Sequence, residues 1–215
     1  REGLSIGIVE SIAAPAALNI AIQGEGGHAG TVLMADRKDA FLAAAELALA
    51  IETIARTVGG ADTVATIGKC ELFPGAVNSI PSRVRLTLDL RDTDGLRRDM
   101  VLQAILKSCA EIAALRGVTI APELLNADAP AQCDSHIVAT IREICEARKI
   151  LYRTMVSRAY HDSLFLSRIA PAAMIFIPCR NGVSHRPDEY SSPGQIATGA
   201  LVLAETLARL AGAST

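Results

Sequence analysis

The sequence contains no tryptophan, and aromatic residues occupy only 3% of its 215 positions. That shortage argues against an aromatic-rich binding module and leaves Ala, Val, Ile and Leu to fill the interior, as helices packed on sheets do. Basic clusters are equally scarce. The formal net charge is −2, Lys and Arg alternate with acids, and the longest basic group is Arg97-Arg98. A nucleic-acid binder needs a basic stripe to meet phosphates, so that class is disfavoured. No apolar run reaches the length of a membrane span, and Arg1-Glu2-Gly3 shows neither an initiator Met nor a signal-peptide pattern. A chain that opens directly into Leu4-Ser5-Ile6-Gly7-Ile8-Val9 reads as cut from something longer. There is no CxxC. The five cysteines (Cys70, Cys109, Cys133, Cys145, Cys179) are odd in number and widely spaced. They predict reduced thiols in a cytoplasmic protein, neither a disulfide framework nor a zinc ribbon.

What is present is apolar, patterned and long enough for one large domain or two small ones. Residues 18–23 alternate as a strand. Residues 38–58 read as an Ala/Leu/Ile helix, started near Asp36 and stopped by Gly59-Gly60. Strands are expected over 63–72 and 83–90, the latter with Val84, Leu86, Leu88 and Leu90 on one face. A second helix over 95–116 ends at Gly117, and a strand over 118–124 closes the set. The order β-α-β-β-α-β is the split unit of ferredoxin-like sandwiches. After the turn at 126–130 come a helix at 135–149, a short strand at 150–156, a helical turn or two at 161–169, and a closing helix at 193–210. The apolar run Ala172-Ala173-Met174-Ile175-Phe176-Ile177-Pro178 has the pattern of a strand buried on both faces of a parallel sheet. The opening strand, 4–11, is assigned to that second sheet. The ferredoxin-like unit, 17–126, then becomes an insertion between two segments of an α/β domain, 1–16 and 127–215.

Four histidines are few enough to weigh singly. His28 lies in Gly26-Gly27-His28-Ala29-Gly30-Thr31, where glycines permit close backbone approach to a ligand; an exposed turn histidine fits the same pattern. His185 follows the apolar strand in the segment Cys179–Tyr190, with Asp188 and Glu189 nearby, and is a candidate metal ligand. His161-Asp162 opens a short helix, where Asp162 can simply favour the helix dipole. His136 reads as a surface residue. Asn78 and Arg91 stand near strand ends. Arg91 carries the donor fork that grips carboxylates, but a structural ion pair with Asp89 or Asp92 is the more common use of an Arg so placed.

Taken in order, GGHAGT, Met34, Arg37-Lys38-Asp39-Ala40, PGAVNSIP, DLRDTD, AYHD, MIFIPCRNGVSH and EYSSP resemble one family across the whole chain. It is the group of N-carbamoyl-L-amino-acid hydrolases, allantoate amidohydrolases and β-alanine synthases, among the aminoacylase-like metallopeptidases. The resemblance implies a metallopeptidase-like catalytic α/β domain, an inserted ferredoxin-like domain through which two copies dimerise, and hydrolysis of carbamoyl or ureido C–N bonds in small carboxylate-bearing substrates. It implies two divalent metal ions (Zn²⁺, Mn²⁺, Co²⁺ or Ni²⁺), roughly 3.5–4 Å apart, that activate a bridging water. His185 matches a metal ligand. His28 matches the lid histidine that stabilises the oxyanion in the neighbouring copy's site. Asn78 and Arg91 match groups that hold the substrate carboxylate.

The remaining metal ligands and the general base of this family lie upstream of the position matching Arg1, so the chain as given is expected not to turn over substrate. There are also departures. Val32-Leu33 replaces the usual Thr-Pro after the glycine-rich segment. Ser157-Arg158-Ala159 replaces Ser-Gly-Ala in the loop that lines the substrate pocket, which makes Arg158 and Ala159 candidate substrate contacts and leaves the substrate open. Two other readings remain. A non-catalytic ferredoxin-like dimerisation module would not need the tail from Ala131 onward. A broader aminoacylase or dipeptidase would not be expected to carry the Asn78 and Arg91 pair.

Overall fold

The computed structural model describes residues 3–212, which divide into two compact units, 14–129 and the pair of segments 3–13 and 130–212. In chain order the elements are β1 (Ile6–Ile12), β2 (Ala14–Gln23), β3 (Gly27–His28), α1 (Ala40–Thr57), β4 (Val64–Phe73), β5 (Ser79–Ile80), β6 (Arg83–Asp92) and α2 (Gly95–Arg116). There follow β7 (Thr119–Ala127), β8 (Ala131–Gln132), α3 (Ser135–Ala147), β9 (Tyr152–Ser157), α4 (Asp162–Leu166), β10 (Met174–Phe176) and α5 (Pro193–Leu210). Single turns of 3-10 helix lie at Met34–Asp36 and Arg180–Gly182.

Residues 14–129 form the ferredoxin-like βαββαβ unit. Its antiparallel sheet has the order β4-β6-β2-β7. Alternation along β6 buries Val84, Leu86, Leu88 and Leu90, and β2 contributes Leu18, Ile20 and Ile22. Onto this face α1 lays Ala40, Ala43, Ala44, Leu47 and Ile51, one stripe at helical spacing. The second helix adds Val101, Leu102, Ile105, Cys109 and Ile112. Asp94 caps α2 by accepting from the Leu96 and Arg97 N–H groups, and Gly117 ends it at a φ of 62°, a left-handed position that suits glycine. The first helix begins later than the sequence suggests. Asp36 sits in the preceding 3-10 turn, and the cap is Asp39, whose side chain accepts from Phe41 N–H at 2.8 Å and Leu42 N–H at 3.2 Å. The unit also starts three residues earlier than 17 and ends three later than 126, because β2 pairs from Ala14 and β7 runs to Ala127.

The other unit carries β1 between β10 and β8, with β9 also on β1. Pairing is parallel between β1 and β9, and antiparallel between β1 and β10. Ile6 and Ile8 pack with Val138, Ile141, Ile144 and Cys145 of α3 and with Val202 of α5. One expectation is overturned here. The apolar run 172–178 yields a three-residue strand, half-buried, antiparallel to β1. A continuous apolar run reports burial demand but carries no information on strand direction; among the described residues β10 has β1 as its sole strand neighbour. No helix among the described residues is long and apolar enough to cross a membrane.

Candidate functional site

The residues singled out in the sequence fall in four places. The first is a two-stranded ribbon beyond the end of the ferredoxin-like sheet, where β3 pairs with β5, His28 opposite Ser79. The Ala29 N–H donates to the Asn78 carbonyl at 2.9 Å. Two segments fifty positions apart are thereby joined, and His28 and Asn78 become neighbours, both exposed. The Gly30 N–H donates to His28 Nδ1 at 3.0 Å. An imidazole that accepts at Nδ1 carries its proton, when neutral, on Nε2, so His28 presents an Nε2–H donor; that tautomer follows from the hydrogen bond. The segment Arg37-Lys38-Asp39 frames this ribbon. Arg37 Nη2 donates to the Ala29 carbonyl at 2.6 Å and Nε to the Val32 carbonyl at 3.1 Å. Lys38 pairs with Glu25 at 2.5 Å, and Asp39 caps α1.

Arg91 lies elsewhere, on β6 opposite Pro15 of β2 and Val64 of β4. Its Nε and Nη2 donate to the two Asp89 carboxylate oxygens at 2.8 and 2.7 Å, a bidentate pair that raises the guanidinium's pKa further. The next residue, Asp92, is buried. Burial works to raise its carboxyl, but donors from Arg97, Thr63 and the Asp94 N–H together outweigh this and hold it below its ordinary range. DLRDTD is therefore in large part a scaffold. Gln23 pairs with Arg83 and Pro15 with Arg91, so the His28–Asn78 ribbon and Arg91 lie at opposite ends of the sheet, roughly 25 Å apart at ~3.3 Å per residue.

The third place is the loop after β9. Ser157 is buried, and its Oγ donates to the Ala159 carbonyl at 3.2 Å while standing 2.8 Å from His161 Nε2. The hydroxyl links the Ala159 carbonyl to the His161 ring, whose tautomer sets which of the two donates in the second contact. The backbone that carries Arg158 and Ala159 is thus tied down from within. His161 also lies against the Phe176 ring, centroids 5.7 Å apart. His136 is exposed.

His185 occupies the fourth place, the segment after β10. It is exposed and adopts a φ of 57°, and its N–H donates to Glu189 Oε2 at 2.9 Å. The segment is stitched by Cys179 Sγ to the Val183 carbonyl at 2.8 Å, and by Arg180 N–H to the Tyr190 carbonyl at 2.8 Å. Where this segment leaves β10 it borders a cavity of about 600 Å³, lined by Gly7, Arg153, Met155, Phe176, Cys179 and Asn181. A Cβ at Gly7 would meet Met155 Sδ at 2.5 Å, so glycine is what allows that close approach. Among the described residues no three His, Cys, Asp or Glu side chains come together as a metal site. His185 is one donor, and the described residues do not by themselves fit the two-metal centre that the resemblance implies.

Two side chains escaped the sequence reading, the Arg37 clamp and the Ser157 anchor. An Arg two residues before a capping Asp, just after a glycine-rich loop, is a usable sign of the first. Nothing in the pattern marks the second.

Comparison with known proteins agrees with these motifs. The model of peptidase family M20/M25/M40 matches residues 9–209. A ureidoglycolate hydrolase of Arabidopsis thaliana is 50% identical over 97% of this chain and 44% of its own length. An N-carbamoyl-L-amino-acid amidohydrolase of a Pseudomonas species is 37% identical over 96% of this chain and 50% of its own. Crystal structures of AtUAH in complex with glyoxylate and with (S)-hydroxyglycine superpose with a TM-score of 0.89 at 50% identity, over 97% of this chain and 50% of theirs. The chain thus spans about half the length of the relatives it matches.

Proposed function

Because this chain belongs to the peptidase family M20/M25/M40, we propose that its protein is an amidohydrolase for ureido and carbamoyl compounds bearing a carboxylate, ureidoglycolate first among them. The His28–Asn78 ribbon carries this reading. Water attack on a ureido carbonyl produces a tetrahedral oxyanion. A neutral imidazole with its proton on Nε2 donates to that oxygen in the transition state, where such a donor is worth most. Asn78, beside it, offers an amide donor and acceptor to the substrate. Arg91 supplies the planar fork for the substrate carboxylate, which takes over part of the fork now held by Asp89. Arg158 and Ala159 contact the substrate from the loop after β9. His185 is one imidazole donor toward the divalent metal ions of the family.

A distance supports a paired assembly. No small substrate spans the roughly 25 Å of sheet, eight residues at ~3.3 Å each, between the ribbon and Arg91. The two ends serve one substrate together only when they come from two copies. The reading therefore includes a homodimer in which the ribbon of one copy completes the site of the other. Leu33, Met34 and Val77, exposed and close in sequence to His28 and Asn78, give the ribbon end an apolar surface suited to such insertion.

The relative's ligands fit the chemistry. Loss of the carbamoyl group from ureidoglycolate leaves hydroxyglycine, and loss of ammonia from hydroxyglycine leaves glyoxylate. Both keep the carboxylate assigned to Arg91. The test is hydrolysis by the full-length protein, supplied in turn with Zn²⁺, Mn²⁺, Co²⁺ and Ni²⁺, followed as ammonia release for the ureido and carbamoyl compounds and as release of the free amino acid for the N-acetyl compound. Its substrates would be ureidoglycolate, allantoate, N-carbamoyl-L-amino acids and an N-acetyl-amino acid. Ureidoglycolate should show the highest kcat/KM. Turnover of the N-acetyl compound alone would move the assignment to an aminoacylase.

A further inference from the structure

We propose that Arg37 is a positioning residue that sets the hydrogen-bonding role of His28 through a single peptide plane, an inference resting on the oxyanion reading of His28. The Ala29–Gly30 peptide has its carbonyl held by Arg37 Nη2 at 2.6 Å and its N–H donated to His28 Nδ1 at 3.0 Å. A peptide unit is rigid and planar, so fixing the carbonyl at one end fixes the direction of the N–H at the other. The guanidinium also spans to the Val32 carbonyl through Nε at 3.1 Å, which holds the fork itself in place. Its positive charge on the carbonyl oxygen polarises the peptide and strengthens the N–H as a donor.

The alternative geometry explains why a clamp is needed. Residue 30 is glycine, the residue most tolerant of a peptide flip. Rotation of the Ala29–Gly30 plane by about half a turn would present the Ala29 carbonyl to Nδ1. Nδ1 would then have to carry the proton, and Nε2 would become an acceptor, unable to donate to an oxyanion. Arg37 opposes the flip because the flip breaks its own charge-assisted bond to Ala29. The preceding peptide is held by the Ala29 N–H to the Asn78 carbonyl at 2.9 Å and the following one by the Thr31 N–H to the His28 carbonyl at 3.1 Å, so the plane is bracketed on both sides. Lysine would keep the charge but has no fork to reach two carbonyls at once.

The test reads the hydrogen bond itself, without substrate. In the uniformly ¹⁵N-labelled 215-residue chain, a through-hydrogen-bond coupling experiment should connect the Gly30 amide nitrogen to His28 Nδ1. The correlation should be lost in Arg37→Gln and weakened in Arg37→Lys, with the remaining amide resonances of residues 14–129 unshifted as proof of folding. In the full-length protein the same substitutions should lower kcat about tenfold, less than the roughly 10²–10³-fold expected for removal of an oxyanion donor, with little change in KM. A correlation of undiminished strength in both variants would overturn the inference. Failure of the oxyanion reading shows up separately, as an unchanged kcat in His28→Ala, and leaves the spectroscopic result standing.

Discussion

Residues 14–129 and the unit formed by 3–13 and 130–212 bury their apolar side chains very differently. The first gathers eighteen buried residues into one cluster beneath two helices, with every inward position of β2 and β6 covered. The second gathers seven. Its α5 leaves Ile196, Leu201, Leu203 and Leu207 exposed, and its α4 leaves Phe165 and Leu166 so. The ribbon with His28 and Asn78, and Arg91 at the other end of the sheet, therefore stand on a scaffold that supports itself. His185 and the loop of Arg158 and Ala159 stand on a sheet whose neighbouring helices still present apolar faces. Burial, more than motif content, separates the two halves of the candidate site.

The largest expected effect tests that contrast directly. Leu88→Ala, at a fully buried position of β6, should cost about 2–5 kcal/mol in urea unfolding, whereas Leu207→Ala on α5 should stay within about 0.5 kcal/mol. Equal costs would break the comparison. Next comes Arg91→Lys in the full-length protein, which should lose about 1.5–3 kcal/mol of transition-state stabilisation in kcat/KM, the worth of a hydrogen bond to a charged group. Unchanged kinetics would reduce Arg91 to a structural partner of Asp89. The smallest effect concerns acid. The Asp92 carboxyl is held below its ordinary value in the folded chain, so the folded state binds fewer protons than the unfolded one as pH falls. Its stabilising share is complete above the unfolded value of about 3.9 and fades below it. Acid titration of unfolding should therefore show a component near and below that pH that disappears in Asp92→Asn. A component that survives the substitution would mean other carboxylates carry it.

Much of the first unit was legible because its signals are local. Asp94 and Gly117 bracket α2 at both ends, and the alternation of β6 fixes its buried face without reference to anything distant. The helix start at α1 was less legible because two aspartates, Asp36 and Asp39, both suit a cap; only the one whose oxygen reaches the Phe41 and Leu42 N–H groups acts as one. The strand at Met174–Phe176 was misread because an apolar run says nothing of direction. In the candidate site the motifs were visible but their partnerships were not. The Arg91–Asp89 pair could be foreseen, since residues two apart on a strand share a face. The pairing of His28 with Ser79 could not, because a two-residue ladder across fifty positions has no periodicity to detect. The tautomer of His28 depends on one backbone N–H and was equally out of reach.

The central claim is that the ribbon of one copy and Arg91 of the other serve the same substrate, and mixed dimers test it most directly. Full-length protein bearing His28→Ala should lose roughly 10²–10³-fold in kcat, and Arg91→Lys should weaken kcat/KM as above. Replacing Arg91 by Ala removes the fork altogether. Co-expressing His28→Ala and Arg91→Ala chains under separate tags yields heterodimers in which one site has lost both groups and the other has kept both. Those purified heterodimers should recover about half of the wild-type kcat on ureidoglycolate, far above either variant alone, since one of two sites is intact. Heterodimers no more active than the better of the two parent variants would contradict the account.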